Sequence, residues 1–106
     1  LSANTATFGG AIYTNGTATL SNATVSGNSA TSLGGAGYLL TGGTFNIEQS
    51  TLFNNTSAQL AGIYANAATV NLKNSILANT RCVENTDVTP STWSGSGNSL
   101  DDGMTC

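Results

Sequence analysis

The sequence predicts an all-β protein: a short parallel β-helix with three strands per coil and about 25 residues per coil. Three observations predict it. Gly9-Gly10-Ala11-Ile12-Tyr13 is echoed by Gly34-Gly35-Ala36-Gly37-Tyr38 and by Ala61-Gly62-Ile63-Tyr64, with Tyr-to-Tyr spacings of 25 and 26 residues. Each landmark is followed by a Thr-x-(Thr/Asn)-aliphatic phrase, at Thr17–Leu20, Thr44–Ile47 and Thr69–Leu72. Helical periodicity is missing: no apolar series at i, i+3, i+4 and i+7 carries a cap.

Taken in order, residues 1–8 read as the end of a preceding coil, because Leu1-Ser2-Ala3-Asn4 matches Val25-Ser26-Gly27-Asn28. This match predicts a start in mid-repeat and a processed or excised chain; the segment lacks the charged start and apolar core of a signal peptide. Each full unit then holds three β-type runs separated by Gly, Asn or Ser. The third run is Ala23–Ser26, Ser50–Phe53 or Ser75–Ala78. Short runs rich in Thr, Val, Ile and Tyr suit strands. Period-two alternation points Ala18/Leu20, Phe45/Ile47 and Val70/Leu72 inward, and likewise Ala23/Val25, Ser50/Leu52 and Ser75/Leu77. Ile12 and Ile63 face in with Gly37 as a gap between them. Phe8, Leu33 and Leu60 are expected as one more inward column.

Asn4, Asn28, Asn55 and Asn79 fall at the same bend. Asn tolerates the left-handed region and bonds nearby backbone, so these four are expected to form a structural amide ladder.

The repeat phrases stop at Thr80, which divides the chain into coils over 1–79 and an irregular C-terminal cap over 80–106. A solenoid needs an end unlike its interior. The cap holds most of the charge, the single Trp93 and the single Pro90, which lies where it cannot interrupt a ladder. It also holds both cysteines, Cys82 and Cys106. An even count in a small Thr/Asn-rich chain favours a disulfide and an oxidising, extracytoplasmic setting, with two unrelated thiols as the alternative. Closing that loop is worth about 3 kcal/mol on the chain-entropy model.

Only 7% of residues are charged, the net charge is −3, and there is no His. Lys73 and Arg81 are the only cations, which excludes a basic nucleic-acid footprint. No apolar run approaches the ~20 residues of a membrane-spanning helix.

Polysaccharide-cleaving sites need clustered carboxylates, whereas the repeats hold only Glu48. His-based nucleophilic catalysis is excluded, so no enzyme and no cofactor are expected. Glu84, Asp87, Asp101 and Asp102 could gather around calcium, but their spacing is not that of a calcium loop, and no metal site is expected. Tyr13, Tyr38 and Tyr64 alternate with inward residues and so form an outward aromatic row, a candidate surface for a sugar chain. Thr17, Thr44 and Thr69, beside Thr19, Asn46 and Asn71, form a flat array similar to that of ice-binding solenoids, though only the first coil keeps Thr-x-Thr. Asn-x-Ser/Thr triplets at Asn15, Asn22, Asn54 and Asn55 are inevitable in this composition.

Phe8-Gly9-Gly10-Ala11-Ile12-Tyr13 and Leu52-Phe53-Asn54-Asn55 resemble the GGA-I and F-x-x-N repeats of polymorphic outer-membrane proteins. More broadly, the chain resembles the right-handed parallel β-helices of bacterial surface and secreted proteins. That resemblance implies adhesion, surface display or a structural role, although some β-helices cleave polysaccharides. The expectation is a right-handed parallel β-helix with a disulfide-closed cap, extracellular or at the cell surface. Its open first coil would stack head to tail on another copy to make a filament or surface layer. The alternatives are a glycan- or ice-binding module, or a fragment of a larger secreted adhesin or carbohydrate-active protein.

Overall fold

The computed structural model describes residues 1–97 and the strand backbone of 100–101. Its strands are β1 (Thr5–Phe8), β2 (Ile12–Thr14), β3 (Thr17–Ser21), β4 (Thr24–Ser26), β5 (Ser29–Leu33), β6 (Gly37–Leu39), β7 (Thr44–Glu48) and β8 (Thr51–Phe53). They continue as β9 (Thr56–Ser57), β10 (Ile63–Ala65), β11 (Thr69–Lys73), β12 (Ile76–Ala78), β13 (Cys82–Glu84), β14 (Thr92–Ser96) and β15 (Leu100–Asp101). Every strand pairs in parallel with its counterpart one coil away. Four sheets result: β1-β5-β9 (sheet I), β2-β6-β10-β13 (sheet II), β3-β7-β11-β14 (sheet III) and β4-β8-β12-β15 (sheet IV). The chain is a parallel β-solenoid of about four turns.

The repeat landmarks are in register: Ile12, Gly37 and Ile63 align, as do Tyr13, Tyr38 and Tyr64. Thr17, Thr44 and Thr69 also align. Residues 1–3 lie along β4, with Ser2 bridging Ser26 and Leu1 O accepting from Ser26 N–H at 3.0 Å.

Three expectations are corrected. First, a fourth strand column exists. The segments read as a bend, from Asn4, Asn28 and Asn55, form sheet I, because Thr-Ala-Thr and Ser-Ala-Thr alternate well enough to pair. Second, Phe8, Leu33 and Leu60 are not an inward column. Phe8 is 41% exposed and Leu60 63% exposed, while Leu33 is half-buried; Ala30 and Ser57 fill the interior there instead. Third, the segment from Thr80 is not simply an irregular cap, because β13, β14 and β15 extend three of the sheets. Parallel ladders run through the backbone, so Cys82-Val83-Glu84 can add to Ile63-Tyr64-Ala65 without the Gly-Gly phrase. The last coil is shortened: only Asn79, Thr80 and Arg81 link β12 to β13, leaving no room for a fourth strand in sheet I.

The corners have a common cause. Ala3, Gly27, Asn54 and Asn79 form one column of residues with positive φ, and Asn22, Gln49, Asn74 and Gly97 form another. Gly9, Gly34 and Leu60 make a third, and Gly42 and Ala67 a fourth, all with φ between 48° and 81°. A single left-handed residue between two extended runs turns the chain, and Gly and Asn reach that region at least cost.

The interior is a stack of side-chain columns. Val25, Leu52 and Leu77 come from sheet IV, Leu20 and Ile47 from sheet III, and Leu39 and Ala65 from sheet II, all buried. Gly37 leaves no gap. A Cβ placed on it would come within 3.0 Å of the Phe45 ring, which occupies the space an Ile side chain fills in the neighbouring coils.

Candidate functional site

The polar residues that the repeats carry inward are joined from coil to coil. Asn4 Nδ2 and the Asn4 amide N–H both donate to Asn28 Oδ1, at 2.9 and 3.0 Å. Asn28 repeats this on Asn55 Oδ1, at 2.9 and 3.2 Å, and Asn55 donates in the same way to Thr80 Oγ1, at 3.2 and 3.3 Å. Asn28 and Asn55 are fully enclosed. The remaining Nδ2 hydrogens meet backbone, Asn28 donating to Leu1 O and Asn55 to Val25 O.

Asn79, expected as the last rung, is not in this ladder. It sits one position earlier, at the left-handed corner, and its Nδ2 donates to Asn54 Oδ1 at 2.7 Å on the exposed surface. Thr80 takes the inward place because it aligns with Asn55, as Ala78 aligns with Phe53.

A second ladder went unread in the sequence. Ser50 and Ser75, recognised only as small inward residues, place their hydroxyls under backbone amides. Ala23 N–H donates to Ser50 Oγ at 3.1 Å, and Ser50 N–H to Ser75 Oγ at 3.0 Å. The hydroxyls in turn donate to the carbonyls of Glu48 and Lys73. The recurrence of Ser two residues before the buried Leu was the available signal.

On the outer face of sheet III, the Thr column gains a fourth member, Thr92, and the column beside it gains Ser94. Asn71 Nδ2 donates to Asn46 Oδ1 at 2.8 Å and Ser94 Oγ to Asn71 Oδ1 at 2.6 Å. Hydrogen-bonding capacity of the Asn46, Asn71 and Ser94 side chains is therefore spent along their own column. Thr92 and Ser94 were hidden because Trp93 replaces the aliphatic between them.

The outward aromatic row is present. Tyr13 and Tyr38 stack with ring centroids 5.3 Å apart and planes at 15°; Tyr38 and Tyr64 stack at 5.2 Å and 21°. Phe8, which sequence reasoning sent inward, joins them edge-on to Tyr38 at 5.2 Å. Tyr13 is 55% exposed, while Tyr38 and Tyr64 are half-buried. The phenol of Tyr64 is held above the usual tyrosine range, first by burial and then by the negative charge that would build up beside Tyr38 and Asp87. Because the rings face one another, neighbouring tyrosines already cover the faces a sugar would stack on.

Cys82 lies on β13, aligned with Ile63 and packed half-buried against the core. Cys106, its expected partner, lies outside the described residues, as do Asp102 and the side chain of Asp101. Of the other candidate calcium ligands, Glu84 accepts the Ser91 amide N–H at 2.8 Å, and Asp87 donates its own amide N–H to Asn85 Oδ1. Among the described residues, no three acidic or Cys side chains gather in a metal-binding arrangement. Among the described residues, no helix is long and apolar enough to cross a membrane.

Two small hollows flank the last coil. One, of about 70 Å³, lies under Trp93 against Ile47, Val70, Leu72 and Leu77. The other, of about 100 Å³, opens where sheet I stops, between Leu60 and Arg81. Among the described residues, Arg81 is the one ionisable side chain in either lining. Comparison with known proteins finds no matching family model, no matching curated relative and no matching solved structure.

Proposed function

We propose that this chain is a non-enzymatic structural or adhesive β-solenoid, working outside the cell or at its surface. One observation carries the reading. Several inward and surface polar columns of the repeats are bonded from coil to coil, Asn28 to Asn55 to Thr80 and Asn46 to Asn71 to Ser94, while the Ser50 and Ser75 hydroxyls are bonded to backbone. Such groups hold coils together rather than greet a substrate. The low charge and the Thr/Asn/Ser surface fit a scaffold of this kind, and the resemblance to polymorphic outer-membrane repeats supports surface display.

In this reading the coils wind right-handed, as parallel crossovers do in nearly all sheets. Cys82 pairs with Cys106 to close the last coil, which favours an oxidising compartment. Copies associate head to tail. A strand edge at the end of a stack offers unpaired backbone groups, and a heterologous contact between unlike ends grows into an open filament when its rotation does not close.

Electron microscopy of native, unreduced material tests the association. Fibres whose axial repeat is a small multiple of the strand spacing of about 4.8 Å are expected. Monodisperse monomers at every concentration would remove the filament and leave the adhesive role.

A further inference from the structure

The aromatic row has a chemical consequence beyond scaffolding. We propose that Tyr13, Tyr38 and Tyr64 form an oxidative cross-linking site, at which a peroxidase-class one-electron oxidant with hydrogen peroxide joins adjacent coils through a dityrosine bond.

The geometry supplies what the coupling needs. Neighbouring phenol rings stand 5.2 and 5.3 Å apart, nearly parallel, so the ring carbons ortho to the hydroxyls are held close on adjacent strands. Strand pairing fixes this register, because Tyr13 aligns with Tyr38 and Tyr38 with Tyr64. Tyr13, the most exposed, gives the oxidant its entry; Tyr38 and Tyr64, half-buried, are screened from tyrosines of other molecules. Phe8 packs edge-on to Tyr38 and cannot itself couple. Holding reactants in contact converts a bimolecular encounter into an intramolecular step, a large advantage in rate.

The reaction balances. Each of two neighbouring tyrosines loses one electron and its phenolic proton, leaving a radical. The two radicals form one carbon–carbon bond between ortho positions. Each of those carbons then gives up its hydrogen as a proton while its phenol oxygen regains one, restoring the aromatic ring. The two electrons and two protons reduce one hydrogen peroxide to two waters.

The test treats the full chain with horseradish-type peroxidase and limiting peroxide, then reads intact mass and the peptide map. The wild type is expected to form no covalent dimer, to lose two hydrogen atoms per chain, and to yield a Tyr13–Tyr38 or Tyr38–Tyr64 cross-linked peptide. Y38F separates the remaining tyrosines by two strand spacings, about 10 Å, and should lower the intramolecular yield about tenfold or more. Y64F keeps one stacked pair and should retain the link, which guards against a folding failure shared by any Tyr substitution. The proposal is overturned if the wild type forms no link or only covalent dimers. It is equally overturned if Y38F, or wild type in denaturant, forms the intramolecular link as well as the folded wild type.

Discussion

Gly37 and Phe45 share one side chain's worth of space. They lie on different sheets of the same coil, and the Phe45 ring reaches into the volume that a Cβ on Gly37 would enter. By register, the equivalent positions of the other coils hold Ile12 and Ala18, Ile63 and Val70, and Cys82 and Trp93. The larger partner is on sheet II in the first and third coils and on sheet III in the second and fourth.

This trade predicts strong coupling. Gly37→Ile alone should cost about 1–3 kcal/mol by overpacking, and Phe45→Val alone should open a cavity and cost about 2–4 kcal/mol. The double variant copies the third coil and should be more stable than the sum of the two losses allows. Denaturant unfolding of all four proteins in a double-mutant cycle measures it; simple additivity would show that the two residues do not share the space.

Asn55 is the most connected rung of its ladder. Asn55→Leu takes the acceptor from the buried Asn28 backbone N–H and from one of its Nδ2 hydrogens, for a loss of about 3 kcal/mol. Asn79→Ala removes an exposed bond to Asn54 and a residue suited to a left-handed corner, and should cost about 1 kcal/mol, well below the Asn55 loss. Comparable losses from the two substitutions would contradict the placement of Thr80 in the ladder.

Leu60 holds a left-handed corner at φ 59°, where Gly9 and Gly34 hold the equivalent positions. A non-glycine residue there costs on the order of 1 kcal/mol. Leu60→Gly should therefore raise the midpoint of unfolding modestly, after the extra freedom of glycine in the unfolded chain is subtracted. Gly34→Ala should do the reverse and more, because its new Cβ would land on the Gly37 carbonyl. Thermal or urea unfolding of the pair reads both signs.

Alkaline pH should loosen the stack. Tyr64 keeps its proton to a higher pH when folded than the usual value of 10.0 when unfolded. Below that pH both states are protonated and stability is fully present. As pH rises past it, the unfolded chain ionises first and stability falls. The fall should be shallower in Tyr64→Phe, and absorbance titration of the phenolates checks the order of ionisation.

Much of this architecture is legible in the sequence because period and alternation are local. Tyr13, Tyr38 and Tyr64 announce their own alignment, and Phe45, Ile47, Leu52 and Leu77 fall inward by counting in twos. What escapes is decided by neighbours. Whether Asn79 or Thr80 occupies the ladder depends on a one-residue register that two adjacent polar residues leave open. Phe8 turns outward because the tyrosine rings of sheet II offer it a partner that its own strand does not reveal. The fourth coil is hidden because Cys82-Val83-Glu84 and Thr92–Ser96 join by backbone, a kind of pairing that leaves little imprint on side-chain identity.

The corner between sheets II and III has unequal length in every coil. Two residues connect β2 to β3, four connect β6 to β7, three connect β10 to β11, and seven connect β13 to β14. The corner between sheets III and IV is two residues long in each of the first three coils. Register survives on both sides of the longest connection, so the ladder does not count what hangs outside it. That makes the sheet II–III corner a natural grafting position: a foreign loop inserted between Ala65 and Thr69 would be displayed on a rigid shaft, with the aromatic row of sheet II beside it as a built-in ruler of one step per coil.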